Sequence, residues 1–421
     1  MKEKNGNVVI IGAGRSGRGL HGEFCYKDNY NITFADIDAD LIHKMQNQGQ
    51  YISFSENEAG DGFNECVVKD YKAYQINENR EDYLSALADA DIIFTATFDD
   101  AFPSIVKDIK DSIDVRIEKN ITKQFALIVG ANYIGLKDYF DKAFKEELTE
   151  EEYNFYQKHC VLAEQIIYRV SSFPTPEQKE IDEISVQSDV VDYLQVNTSQ
   201  FAKATEIRKP SFFKDEDDTL KFMHCKIWNV NTSHCSLAYL GQYYGYKNVC
   251  DAANDPKISK LAWYASKEAY AGLAARYGMP KEQNVEDVLG LWNWYQDVTM
   301  KDTVERVGND PIRKLRKGDR FIGAALNAME YGVLPIHICQ NAAYGFYFHN
   351  EGDPRTDKLH AMIKENGIEK TIQEVCGLDL NVDNEKIIYE IILKKYYDLK
   401  DDDPVKEYLD SHNGVVFENH H

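Results

Sequence analysis

The sequence predicts an α/β domain built on a parallel sheet, followed by a mainly α-helical domain. Three observations carry this expectation. Short apolar runs alternate with amphipathic helical stretches through the first third of the chain, the pattern of repeated strand–helix–strand units. A glycine-rich turn closes the first of those runs. Beyond the charged run KDEDD (214–218), read as a surface loop, nearly every segment has helical periodicity. A chain of 421 residues has room for both, and the domains are expected at residues 1–200 and 201–421.

Taken in order, VVIIGAG (8–14) reads as a buried strand running into glycine, and NITFAD (31–36) as a second strand. ADIIFTAT (90–97) and FALIVGAN (125–132) read as two more, with AFPSIVKDIKDSI and GLKDYFDKAFKEEL as accompanying helices. ISVQSDVVDYLQV (184–196) is extended again and closes the first domain. In the second domain KISKLAWYASKEAYAGLAARYG starts after Asp255, a capping residue, with Pro256 in the first turn. Its residues Ile258, Leu261, Ala262, Ala265 and Ala269 share one face, and Gly278 and Pro280 end it. VEDVLGLWNWYQD, GAALNAMEYG and EKIIYEIILKKYYDL follow the same style.

Composition narrows the function classes. A net charge of −22 argues against non-specific nucleic-acid binding and against adsorption to anionic membranes. No apolar run reaches the ~18 residues of a membrane helix. The first apolar run is too short for a secretory signal and ends in glycines. Eight scattered cysteines without a C-x-x-C pair suit reduced thiols and a cytoplasmic location. The terminal His420 and His421 are left out of the site.

The glycine turn contains G-x-G-x-x-G as Gly12, Gly14 and Gly17, between a strand and a predicted helix. Asp36 ends the next strand 19 residues after Gly17, near the spacing of ~20 that a dinucleotide site needs. Gly12 permits the tight turn, Gly14 lets backbone approach a pyrophosphate, and Gly17 lets helix and strand pack closely. A Rossmann-type site follows, with Gly12, Ala13, Gly14, Arg15, Ser16 and Gly17 around the phosphates. Asp36 accepts from the adenosine ribose hydroxyls and repels a 2′-phosphate, so NAD is expected rather than NADP. Thr95 and Asn132, at the ends of later strands, complete the candidate cofactor set. The plainer alternative is a glycine turn with no ligand; the agreement of strand, glycines, helix and acid weighs against it.

KIWNVNTSH (226–234) carries the candidate chemistry. On an α-helix Asn231 lies about 140° and His234 about 80° around from Lys226. All three share one broad face, with Asn231 and His234 leaning toward Lys226. A lysine amine made neutral by burial can take the hydroxyl proton of an alcohol as hydride leaves. An Asn amide and a His N–H can polarise the oxygen, and no metal is needed. The plainer reading is a solvated lysine on an ordinary helix, with His224 and Asn229 as rival candidates.

KIWNVNTSH matches the motif K-x-x-x-x-N-x-x-H at Lys226, Asn231 and His234, and HCSLAYLGQYYGY continues it. GAGRSGRG with Asp36 and KDTVERVGNDPIRKLRKGDRFIGAALNAMEYGV (301–333) are further matches. With these, the chain resembles the polyol-specific long-chain dehydrogenases, the mannitol dehydrogenase family. The resemblance implies that Lys226 is the general base, that Asn231 and His234 bind the reacting oxygen, and that NAD is the cofactor. It implies a small sugar or sugar-phosphate substrate and a monomer or weak dimer. The expected reaction interconverts mannitol 1-phosphate and fructose 6-phosphate, as in the branch acting at C5 of the phosphate ester. Alternatives are a mannitol 2-dehydrogenase, or a tagaturonate or fructuronate reductase, of the same family. A non-catalytic NAD-binding regulator is a further alternative, against which the intact motif speaks. In GANYIG (130–135) Asn132 matches the family's C-E-N pattern, making it a substrate candidate too, while Ala131 replaces the acid. RKLRKGDR (313–320) puts five basic residues together in an acidic chain. Such an excess can hold a phosphate, with Arg306 and Arg313 as the candidates.

Overall fold

The computed structural model describes residues 3–57, 59, 62–298 and 302–401. Lys301, the first residue of the third matching segment, and the His420–His421 pair lie outside the described residues. The chain divides into two compact units, Met1–Leu220 and Lys221–His421.

Among the described residues the first unit has twelve strands: β1 (Asn7–Ile11), β2 (Asn31–Asp36), β3 (Gln50–Glu56), β4 (Phe63–Lys69), β5 (Lys72–Gln75) and β6 (Ile92–Thr95). They continue with β7 (Phe125–Val129), β8 (Cys160–Ile166), β9 (Ser171–Ser172), β10 (Val186–Ser188), β11 (Leu194–Asn197) and β12 (Phe213–Glu216). Eight form one sheet in the order β12-β11-β8-β7-β6-β1-β2-β5. Every neighbouring pair in it is parallel except β11 with β8. Alternate side chains explain why its central strands are apolar throughout. Val8, Ile10, Ile92, Phe94, Ala126 and Ile128 enter the core on one face. Val9, Ile11, Ile93, Phe125, Leu127 and Val129 enter a second core on the other. A parallel sheet covered on both faces leaves no strand position for a solvated polar residue at its centre.

One expectation fails here. The run read as a surface loop is in large part strand, because β12 pairs in register with β11 from Phe213 against Leu194 to Glu216 against Asn197. Only Phe213 of β12 is buried, and an edge strand tolerates charge on its remaining positions. This is why the first unit extends to Leu220.

The other four strands form a second sheet, β4-β3-β10-β9, which the apolar runs did not reveal. It packs on the chain just after the glycine turn. Tyr51 Oη donates to the Arg18 carbonyl at 2.8 Å, and Ser188 Oγ donates to the Gly19 carbonyl at 3.1 Å. Below them Arg169 Nη2 pairs with Glu23 at 2.9 Å in full burial, and Ser53 Oγ donates to the same carboxylate at 2.7 Å.

The described part of the second unit is helical apart from an isolated bridge between Asn248 and Thr303. The helix Asn231–Tyr243 lies in its core, with Cys235, Leu237, Ala238, Tyr239 and Leu240 all buried. The helix Pro256–Tyr277 begins as expected, the Asp255 carboxylate accepting from the N–H groups of Lys257 and Ile258 at 2.9 and 3.0 Å. It ends at Gly278 with φ +60°. Among the described residues, no helix is long and apolar enough to cross a membrane.

Candidate active site

The glycine turn has the geometry its residue types require. Gly12 has φ +101°, and a Cβ there would stand 2.5 Å from the Ala96 carbonyl oxygen. A Cβ on Gly17 would stand 1.9 Å from the Gly12 carbonyl oxygen, so the helix start and the turn touch backbone to backbone. Gly14 is the opposite case, with no heavy atom within 4 Å of a Cβ position, and its backbone faces open space. Arg18 Nη1 donates to the Ala13 carbonyl at 2.9 Å and braces the turn from the helix side. Arg15 and Ser16 are half-buried beside it.

Asp36 ends β2 against this turn. Its Oδ2 accepts from the Ala13 N–H at 2.6 Å and its Oδ1 from the Asp38 N–H at 3.0 Å. Each carboxylate oxygen has a second lone pair, so two acceptor positions remain for hydroxyl donors. Thr95 is placed differently from the sequence expectation of a cofactor contact. It is buried, and its hydroxyl accepts from the Gly130 N–H at 3.2 Å, tying the ends of β6 and β7 together. Asn132 is exposed in the loop that leaves β7. The open backbone at Gly14 and the acceptor set on Asp36 fit a dinucleotide.

The second group of candidates starts on a π-helical turn, Lys226–Val230, which leads into the helix Asn231–Tyr243. A similar turn, Gly17–Gly22, follows the glycine loop. A π-turn inserts one residue into a helix and frees carbonyls from the usual pairing. Local side chains satisfy them here. Thr232 Oγ1 donates at 2.8 Å toward the Trp228 carbonyl, and Tyr295 Oη at 2.8 Å toward the Val230 carbonyl. Thr232 Oγ1 also lies 2.7 Å from the Arg320 carbonyl, and Ser233 Oγ 2.8 Å from Tyr295 Oη. Because the i→i+5 repeat of the turn replaces i→i+4, Asn231 rises closer above Lys226 than the α-helical 140° implied.

Lys226 is half-buried. Desolvation, helped by the positive charge of Arg320, lowers its amine to about 8. The Asn231 side chain is also half-buried and has no hydrogen-bond partner among the described residues. The His234 ring stacks on Tyr295 with centroids 5.1 Å apart and meets the edge of Trp294 at 5.2 Å. Its Nε2 lies 3.3 Å from Asp302 Oδ2. Burial lowers the His234 imidazole despite that carboxylate, so the ring is neutral near pH 7. Burial alone would raise Asp302, but His234 and Arg306 outweigh it and hold the carboxyl at about 2.

The rival residues have structural partners. His224 Nδ1 is 2.5 Å from Tyr277 Oη, and its ring stacks on Trp228 at 3.9 Å. Asn229 is buried and accepts from Ser266 Oγ at 2.6 Å. Arg306 is exposed and paired with Asp302 through two nitrogens. Arg313 Nε donates to Asp310 at 2.8 Å, and its Nη1 lies 3.4 Å from Asp319. Residues not singled out beforehand are Asp302, the carboxylate on His234, and Arg320. Arg320 is buried, paired with Asp319 at 3.0 Å, and its charge acts on both Lys226 and His234. Its signal was present as the last base of RKLRKGDR, but its burial was not visible there.

Comparison with known proteins places this arrangement. Residues 6–209 match the family model for the mannitol dehydrogenase Rossmann domain, and residues 218–401 match that for the mannitol dehydrogenase C-terminal domain. A mannitol-1-phosphate 5-dehydrogenase of Thermoanaerobacter pseudethanolicus is 28% identical over 94% of this chain and 98% of its own. One from Bacillus subtilis is 26% identical over 92% of this chain and 99% of its own. Mannitol 2-dehydrogenase of Pseudomonas fluorescens, solved with NAD and D-mannitol, shares the fold with a TM-score of 0.75 at 15% identity. That match covers 98% of this chain and 94% of the other. A D-sorbitol dehydrogenase in substrate-free form gives a TM-score of 0.68 at 12% identity, covering 94% of each chain. The two family models follow one another along nearly the whole chain, and the chain belongs to the mannitol dehydrogenase family of oxidoreductases.

Proposed function

We propose that the protein is an NAD-dependent dehydrogenase that interconverts mannitol 1-phosphate and fructose 6-phosphate. One observation carries the chemical part: an amine lowered to about 8 on a π-turn that runs directly into the helix bearing the Asn231 amide and the neutral His234 imidazole. NAD, when bound, supplies the hydride acceptor. The residues that would hold it are the turn Gly12–Ala13–Gly14–Arg15–Ser16–Gly17, through backbone N–H groups and the Arg15 side chain, and Asp36 at the ribose. Lys226 takes the hydroxyl proton in the direction of oxidation and returns it in reduction. Asn231 donates to the reacting oxygen. His234, stacked on Tyr295, is assigned to the same oxygen; its neutral ring carries one N–H, which must leave the Asp302 carboxylate to donate there.

The substrate assignment is supported by relatives named mannitol-1-phosphate 5-dehydrogenase that align over nearly their whole length. The deciding experiment is turnover of NADH with fructose 6-phosphate, free fructose and keto-uronates in parallel. Fructose 6-phosphate is expected to have the highest kcat/KM, and equal use of free fructose or a keto-uronate would remove the phosphate from the reading. Arg313 is assigned to the phosphate, which would compete with Asp310 and Asp319 for its guanidinium. Arg313→Ala is therefore expected to raise the KM for fructose 6-phosphate about ten- to a hundredfold, the loss of one charge-assisted contact. The rate with free fructose should change much less. For the cofactor, Asp36→Ala should relax the preference for NADH over NADPH. A wild-type enzyme that prefers NADPH would contradict the role of Asp36.

A further inference from the structure

Phe173 is 69% exposed, a large apolar ring with most of its surface in water. What it touches is the glycine loop: the Arg15 guanidinium lies over the ring, 3.9 Å from its centroid. We propose that Phe173 is a positioning residue for the cofactor, holding Arg15 so that its guanidinium pairs with the pyrophosphate of the dinucleotide. The inference rests on the NAD reading above and deepens it.

Three features support it. Arg15 directly follows Gly14, whose backbone faces open space, so its side chain starts at the open side of the loop. A guanidinium stacked on a ring uses its face for the ring and donates its hydrogen bonds in plane, in the fork that matches phosphate oxygens. The platform itself is anchored on both sides. Before Phe173, the Val170 N–H donates to Asp189 Oδ2 at 2.8 Å, and Ser171 Oγ lies 3.1 Å from Ser188 Oγ. After it, Thr175 and Gln178 form a reciprocal cap that starts the helix Pro176–Ile181. Ser188 in turn bonds the Gly19 carbonyl in the π-turn after the loop. The small sheet thus carries Phe173 in a fixed relation to the glycine turn. An arginine side chain placed beforehand loses less rotamer freedom when the ligand arrives.

The test is NADH titration by fluorescence together with steady-state kinetics on the full chain. Phe173→Ala should raise the Kd and KM for NADH about three- to thirtyfold, the range of a cation–π contact from exposed to desolvated. The kcat at saturating NADH and the KM for the sugar should stay within about twofold. Phe173→Trp should restore NADH affinity. Arg15→Ala should reproduce the loss, and the double variant should be no weaker than Arg15→Ala alone, because the ring acts only through the guanidinium. Unchanged NADH affinity in Phe173→Ala, or losses that add in the double variant, would overturn the proposal while leaving the NAD reading intact. A wild-type protein that binds no NADH would remove both.

Discussion

Replacing Lys226 with alanine should lower turnover about 10²–10⁴-fold, the usual loss for a positioned acid–base group. NADH binding should stay near wild type, since the substitution leaves the glycine turn and Asp36 intact. The pH dependence gives the same assignment a second reading. The amine is lowered to about 8, so it is increasingly neutral as pH rises through that value. Oxidation needs the neutral amine as base, and its kcat/KM should rise through about pH 8 and level off above it. Reduction needs the ammonium as acid and should fall over the same range. In Lys226→Ala both inflections should vanish. A variant that keeps near wild-type turnover, or wild-type profiles without an inflection near 8, would reduce Lys226 to scaffold.

Asn231→Ala should cost about 10²–10³ in kcat, the size of effect seen when one donor to a developing oxyanion is removed. The reason is local. Asn231 is the first residue of its helix beyond the π-turn, and its amide has no partner among the described residues. Removing it therefore breaks no side-chain hydrogen bond among the described residues, and the thermal midpoint should move little. The loss should fall on kcat more than on the KM for the sugar, because the donor acts most strongly as charge develops on oxygen. Steady-state kinetics with a melting curve on the same preparation checks both halves. A variant with wild-type kcat, or one whose lost activity follows lost folding, would remove Asn231 from the chemistry.

What could be read from the sequence was what is local. The strand β1, the glycines and Asp36 lie within thirty residues, and each imposes a conformation through its own backbone or charge. The helix Pro256–Tyr277 announced both its ends for the same reason. The second sheet was not visible because β3 pairs in parallel with β10, far along the chain: β10 lay inside the extended stretch 184–196, but nothing local names its partner. KDEDD misled because its side chains describe solvation, whereas strand pairing belongs to the backbone. At the site, Lys226, Asn231 and His234 were legible as a spacing, but the π-turn that alters their relation was not. The segment is buried on nearly every face, so it carries no apolar stripe whose phase an inserted residue could shift. The basic run around Arg313 looked like free positive charge. Its acids, Asp310 and Asp319, lie in the same segment and pair with it; two of its bases, Lys314 and Arg320, are buried, and the charge of Arg320 reaches the amine and imidazole only through folding.

The edge strand β12 has a consequence for association. A sheet edge presents a row of unpaired N–H and C=O groups, a template on which another chain can add a strand. Here the exposed positions of that edge are Lys214 and Asp215, with Glu216 at its end and Asp217 and Asp218 immediately beyond. A second copy adding itself there would bring a cluster of carboxylates against an identical cluster, in a protein already carrying a net charge of −22. Fibril-like stacking through this edge is thereby opposed by repulsion, so the acids that disguised the strand in the sequence also protect it from self-templating in concentrated solution.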